Sequence, residues 1–151
     1  MFKDHFIGII QFAIEKEQEA VDFYKELQAL VKFQNQKEML LELQHMEEGH
    51  ITVLENMLKE DYNNMQLKDE IQDLKISDYL IEIDPSDNMN YQDILITAMK
   101  REEKSTKLYK DLALKVDDEQ IKKVFMRLSQ EEAGHKLRFE KLYDEMVLKE
   151  N

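Results

Sequence analysis

Apolar residues recur along this chain at steps of three and four, in four separate stretches. The first carries Phe6, Ile10, Ala13, Glu17, Ala20, Tyr24 and Leu27, and the second Leu40, Leu43, Glu47, His50, Leu54 and Met57. The third runs through Leu95, Ala98, Glu102, Ser105, Tyr109 and Leu112, and the fourth through Phe125, Leu128, Glu132, His135, Phe139 and Leu142. Such steps keep residues on one face of an α-helix, so the pattern predicts amphipathic helices over roughly 4–33, 36–60, 90–115 and 118–148. A glutamate interrupts every stripe near its middle. In the second and fourth a histidine follows three residues later.

Helix starts are legible beside the stripes. Asn35 with Glu38 predicts a capping box opening the second helix, and the aspartates of "VDDEQ", from Val116, predict the cap of the fourth. Asn90 with Asp93 is a less complete signal for the third.

The chain repeats itself at an offset of 85 residues. Ala13 falls on Ala98, Glu17 on Glu102, Tyr24 on Tyr109 and Leu27 on Leu112; further on, Glu47 falls on Glu132, Gly49 on Gly134 and His50 on His135. Each half therefore reads as a helical hairpin, 4–60 and 90–148. The intervening stretch, 61–89, is rich in Asn and Asp, holds the single proline, Pro85, and has room for a short helix at "LKDEIQDL". A helix of about 25 residues is roughly 38 Å long, and about 12 extended residues span that distance. A crossover of this length can run the whole bundle. The expectation is an all-α four-helix bundle in one domain, 1–151, with one long crossover between helices 2 and 3.

Composition supports helices and removes several chemistries. Charged residues make up 36% of the 151, with only 3 glycines and 1 proline, so helix breakers are nearly absent. The formal net charge of −12 argues against nucleic acid and anionic membrane surfaces as partners. The absence of cysteine excludes disulfides, thiolate catalysis, zinc ribbons and iron–sulfur clusters. The N-terminal "FIGIIQFAI" is broken by Gln11 and lacks a small-residue cleavage site, so it does not read as a signal peptide. No stretch approaches the roughly 20 apolar residues of a membrane span. A cytoplasmic protein is expected.

The interrupted stripes now carry the question. Four glutamates on core faces, with no Lys or Arg beside them in the stripes, would be costly if ionised and unpaired. Glu17 and Glu47 are equidistant from the first turn, and Glu102 and Glu132 from the second, so each pair lies at one level. A two-fold relation between the hairpins would bring four carboxylates and two imidazoles together. Two divalent cations would neutralise them, and Glu and His three residues apart share a helix face. The metal ligands predicted are Glu17, Glu47, His50, Glu102, Glu132 and His135. Carboxylate and imidazole donors suit iron, manganese or a mixed pair. The plainer alternative is a symmetric bundle with no metal, since helical hairpins duplicate readily. Glu42 and His45 form a second Glu-x-x-His, but it is rotated by roughly 140° from the first. The repeat maps them to Arg127 and Gln130, so they read as surface residues, as does His5.

At "EKEQEAVDFY", "EEGH", "YQDILITAMKREEKSTKLY" and "EEAGH", with "ISDYL" between the halves, the sequence resembles rubrerythrin-type members of the ferritin-like superfamily. The resemblance runs over essentially the whole chain. It implies a centre of two non-haem irons bridged by Glu47 and Glu132, with Glu17 and Glu102 as terminal ligands and His50 and His135 on one metal each. It also implies that Tyr24 and Tyr109 donate hydrogen bonds behind the ligands; core packing is the alternative for both. Two departures stand out. Full-length rubrerythrins add a four-cysteine rubredoxin domain, which this chain lacks, so turnover would need an external electron-donor protein. They also carry an extra glutamate three residues after the third-helix ligand, where this sequence has Ser105. Glu103 points about 100° away from Glu102 and is a poor substitute.

Three functions follow as expectations. The first is an oxidoreductase reducing hydrogen peroxide or dioxygen at the di-iron centre. The second is a ferroxidase serving iron storage or detoxification, ranked lower because the chain stops after the fourth helix. The third is a metal-stabilised interaction module without turnover. A homodimer is expected, with exchange of hairpins between subunits conceivable.

Overall fold

The computed structural model describes residues 2–61, 76–79 and 90–150, with side chains described over 6–59, 78–79 and 90–148. These residues form four long helices: α1 (Phe2–Leu30), α2 (Gln34–Asn56), α3 (Tyr91–Lys115) and α4 (Glu119–Glu150). The all-α expectation is met, and all four helices lie where the stripes predict them. The chain divides into two compact units, residues 1–67 and 68–151. In the first, α1 packs along α2; in the second, α3 packs along α4. Turns of three residues, 31–33 and 116–118, join the partners and fold each pair back on itself. The crossover expected over 61–89, with its short helix, lies almost wholly outside the described residues.

Each hairpin buries its own stripe. Phe6, Ile10, Leu27, Leu40, Leu43 and Leu54 are buried in the first, and Leu95, Leu108, Leu112, Phe125, Leu128 and Phe139 in the second. Leu142 and Ser105 are only half-buried. Burying each large aliphatic or aromatic side chain contributes about 1.5–3 kcal/mol. That term far exceeds any single turn signal.

Two of the three predicted helix starts form. Asn90 caps α3 in a full capping box: its Oδ1 accepts from the Asp93 amide at 2.8 Å, and Asp93 Oδ2 accepts from the Asn90 amide at 3.4 Å. Asp118 caps α4, its Oδ1 accepting from the amides of Gln120 and Ile121 at 2.9 and 3.1 Å. The box predicted at Asn35 and Glu38 does not form. The cap is Phe33, in extended backbone and without a side-chain cap bond, and its carbonyl accepts from the amides of Gln36 and Lys37. Asn35 is thereby already inside the first turn. The reason lies in the turn itself: Val31 continues the bonding of α1 through the Leu27 carbonyl and is buried, so α2 begins two residues sooner. Asp118→Ala is therefore expected to cost about 1 kcal/mol, and Asn35→Ala to stay within about 0.5 kcal/mol. Urea denaturation of the two variants checks this; equal costs would contradict the caps described.

At its far end α2 passes into a π-helical turn, Met57–Asp61. In the second unit a 3-10 turn, Ile76–Tyr79, lies against α3. There the buried Tyr79 hydroxyl donates to Asp111 Oδ2 at 2.8 Å, and Lys104 Nζ donates to the Asp78 carbonyl at 3.0 Å. Burial and the Asp111 carboxylate hold the Tyr79 phenol well above its ordinary pKa.

Candidate metal centre

The steps of three and four that bury leucines also carry glutamate and histidine into the same interior. In the first hairpin α1 supplies Glu17, while α2 supplies Glu47 and His50. His50 Nδ1 lies 3.4 Å from Glu17 Oε2 and 3.7 Å from Glu47 Oε2. The second hairpin repeats this with Glu102 from α3 and Glu132 and His135 from α4. His135 Nδ1 lies 3.6 Å from Glu102 Oε2 and 3.8 Å from Glu132 Oε1. Within each hairpin, one ligand atom from each of the three residues lies within 4.8 Å of the others. None of the six residues is more than 3% exposed. Glu17 and Glu47 thus lie at one level in the first hairpin, as Glu102 and Glu132 do in the second.

Electrostatics explain why such clusters call for a cation. Burial, and then the nearby Glu47 carboxylate, hold the Glu17 pKa well above its ordinary value. Burial pulls His50 the other way, but the Glu17 and Glu47 carboxylates outweigh it and push His50 up to about 11. Both directions express one demand: the cluster draws in protons because it lacks positive charge. A divalent ion answers the same demand more completely, since it neutralises two carboxylates at once and accepts the imidazole lone pair. Two carboxylates and one imidazole nitrogen per hairpin are donors that iron and manganese both accept. The residues fit the metals the sequence implied.

The remaining candidates fall as follows. Tyr24 and Tyr109 are both buried, and the Tyr109 ring stacks on Phe125 with centroids 6.4 Å apart. Glu42 and His45 are exposed, as the repeat required of them. The His5 side chain lies outside those described.

Four polar residues escaped the sequence reading. Gln28 Nε2 donates to Gln44 Oε1 at 2.8 Å, tying α1 to α2, and Gln44 Nε2 donates to Glu48 Oε1 at 3.1 Å. Ser129 Oγ donates to the Thr106 carbonyl at 3.0 Å, tying α3 to α4, and Thr106 Oγ1 donates to the carbonyl of Glu102 at 2.7 Å. Gln44 and Ser129 are 85 residues apart and each stands three residues before a cluster glutamate. Each therefore fixes the spacing of its ligand helix against the neighbouring one. The available signal was a polar residue at both copies of one stripe-edge position.

Residues 93–151, nearly all of the second unit's hairpin, match the family model described as Rubrerythrin. No curated protein and no solved structure gives a significant match. No helix among the described residues is long and apolar enough to cross a membrane. The family likeness is thus carried by the second hairpin, which is rubrerythrin-like, and the same Glu, Glu and His geometry recurs in the first hairpin.

Proposed function

We propose that the protein is a non-haem di-iron oxidoreductase that reduces hydrogen peroxide, or dioxygen, with electrons from an external donor protein. The observation that carries this is the pair of buried Glu, Glu and His clusters with nearly equal spacings, 3.4 and 3.7 Å in one hairpin and 3.6 and 3.8 Å in the other. Each cluster offers one carboxylate suited to a terminal position, Glu17 or Glu102, one suited to bridging, Glu47 or Glu132, and one imidazole, His50 or His135. Each cluster is half of the donor set that dinuclear carboxylate centres use. When bound, two ferrous ions supply the two electrons that convert one peroxide and two protons to two waters. The chain's own part is to hold the donors, exclude bulk water and keep charge compensated. Tyr24 and Tyr109, buried one heptad after Glu17 and Glu102, supply hydroxyl donors on this reading. The expected metal is iron, with manganese or a mixed pair compatible with the same donors. A homodimer acting in the cytoplasm is part of the proposal.

The half-buried Ser105 favours a second reading, ferroxidase chemistry. It offers no carboxylate to exchange with His135, so the donor set stays at six. One experiment separates the two. Protein loaded anaerobically with ferrous iron is titrated with peroxide and followed by absorbance and metal analysis. Oxidation complete near one peroxide per pair of irons, with iron retained, supports the oxidoreductase. Slow reaction with peroxide, fast reaction with dioxygen and release of ferric iron would support the ferroxidase instead.

A further inference from the structure

The face of α2 turned away from Glu47 and His50 carries Glu38, Leu41, Glu42, His45, Gly49 and Thr52, all exposed and all on one stripe at helical spacing. A shallow groove runs along it, lined by Glu38, Leu41, Glu42, His45 and Met46. The repeat gives α4 the equivalent face: Lys123, Met126, Arg127, Gln130, Gly134 and Leu137, again all exposed. The two stripes share their apolar centre, Leu41 and Met126, each 41% exposed. Their charges are opposite. Glu38 answers to Lys123 and Glu42 to Arg127, so α4 bears a basic stripe on a chain of net charge −12.

The glycines add a separate oddity. Gly49 and Gly134 lie in mid-helix, where glycine costs about 1 kcal/mol relative to alanine. A Cβ at either would meet nothing within 4 Å, so no packing among the described residues asks for glycine. Close approach of another helix does ask for it.

We propose that the outward stripe of α2 docks the outward stripe of α4 from a second copy of this chain. With the two helices running in the same direction, Glu38 meets Lys123, Leu41 meets Met126, Glu42 meets Arg127 and Gly49 meets Gly134. The Arg127 guanidinium is poised for this, because its own-chain contact with Glu131 is long, at 4.0 Å. One helix laid on one helix is a small interface, so the association is reversible and depends on concentration. The general acidity of the surface opposes it, and the local complementarity overcomes that repulsion over a short range. The occupant is a second copy rather than another protein because the complementary face is printed in this sequence by its own duplication.

The test is the weight-average mass in solution across the micromolar range, by analytical ultracentrifugation, on the full chain. The parent is expected to associate as concentration rises, and to do so less in high salt. Reversing the acidic pair, Glu38→Lys with Glu42→Arg, is expected to weaken association at least about tenfold, and so is Lys123→Glu with Arg127→Glu. All four changes in one chain restore it, and an equimolar mixture of the two reversed variants associates although neither does alone. Gly134→Gln is a control on folding: its helix content and melting temperature stay at or above the parent's while association is lost. A parent that is monomeric throughout, an association indifferent to both reversals, or a fourfold variant that fails to recover would overturn the proposal.

Discussion

Glu47→Leu is expected to remove metal binding and, in the same molecule, to make the metal-free protein more stable. The two effects share one cause. Glu47 is fully buried beside Glu17 and His50, and its charge helps drive Glu17 above the ordinary carboxylate range. Without metal the cluster sets two buried carboxylates against one imidazole, so this charge exceeds what His50 offsets, and a leucine of similar volume removes the excess. On the proposed function the same carboxylate would be a ligand when metal binds, and binding would stabilise the folded chain by about 4 kcal/mol at a thousandfold excess over Kd. Parent protein should therefore melt higher with ferrous or manganous ion than without it. The variant should melt at one temperature regardless of metal, above the metal-free parent. Glu132→Leu should behave alike in the second hairpin. Metal analysis beside thermal melts, each with and without chelator, gives the answer. A variant that retains the parent's metal content, or whose metal-free form is weakened, would sink the reading of Glu47 as a ligand held at a cost to the fold.

The largest loss of stability is expected at Phe125. Its ring is fully buried on α4 and stacks on Tyr109 of α3, with planes 16° apart. Phe125→Ala removes the transfer free energy of the ring and leaves a cavity between two helices that cannot close over it, costing about 3–5 kcal/mol. For a chain of this size the melting temperature should fall on the order of 10 °C. Leu148→Ala, on the same helix but 74% exposed, should move stability by less than about 0.5 kcal/mol. Calorimetric melts of both variants decide this. A loss at Phe125 no larger than that at Leu148 would show that the described core does not hold this hairpin together. Because Tyr109 packs on Phe125, the same variant should also weaken metal retention if Tyr109 donates behind Glu102, which separates that role from packing alone when compared with Tyr109→Phe.

Most of the site was legible because two independent periodicities coincide in it. Helical spacing alone placed Glu17, Glu47, Glu102 and Glu132 on inward faces, and the 85-residue repeat alone separated His50 from the decoy His45. The interhelical bonds were not legible. Gln28 and Gln44 lie 16 residues apart and meet only because the turn sets α1 against α2 at one particular rotation. Ser129 reaches the Thr106 carbonyl for the same reason. The failed cap at Asn35 is instructive beside the one formed at Asn90. Both sequences offer an amide side chain with an acid three residues on, yet only Asn90 has extended backbone at the start of its helix, whereas Asn35 already lies inside α2.

Sequence by itself determined the four helices, the polar interruptions of their stripes and the pairing of those interruptions between halves, since each follows from spacing along one helix. Tertiary structure decided where α2 begins, which side chains bridge neighbouring helices and how close His50 and His135 come to their carboxylates. Those depend on the rotation and rise of one helix against another. That is set by the summed burial of many apolar side chains, each contributing about 1.5–3 kcal/mol, against which a single cap worth about 1 kcal/mol cannot prevail.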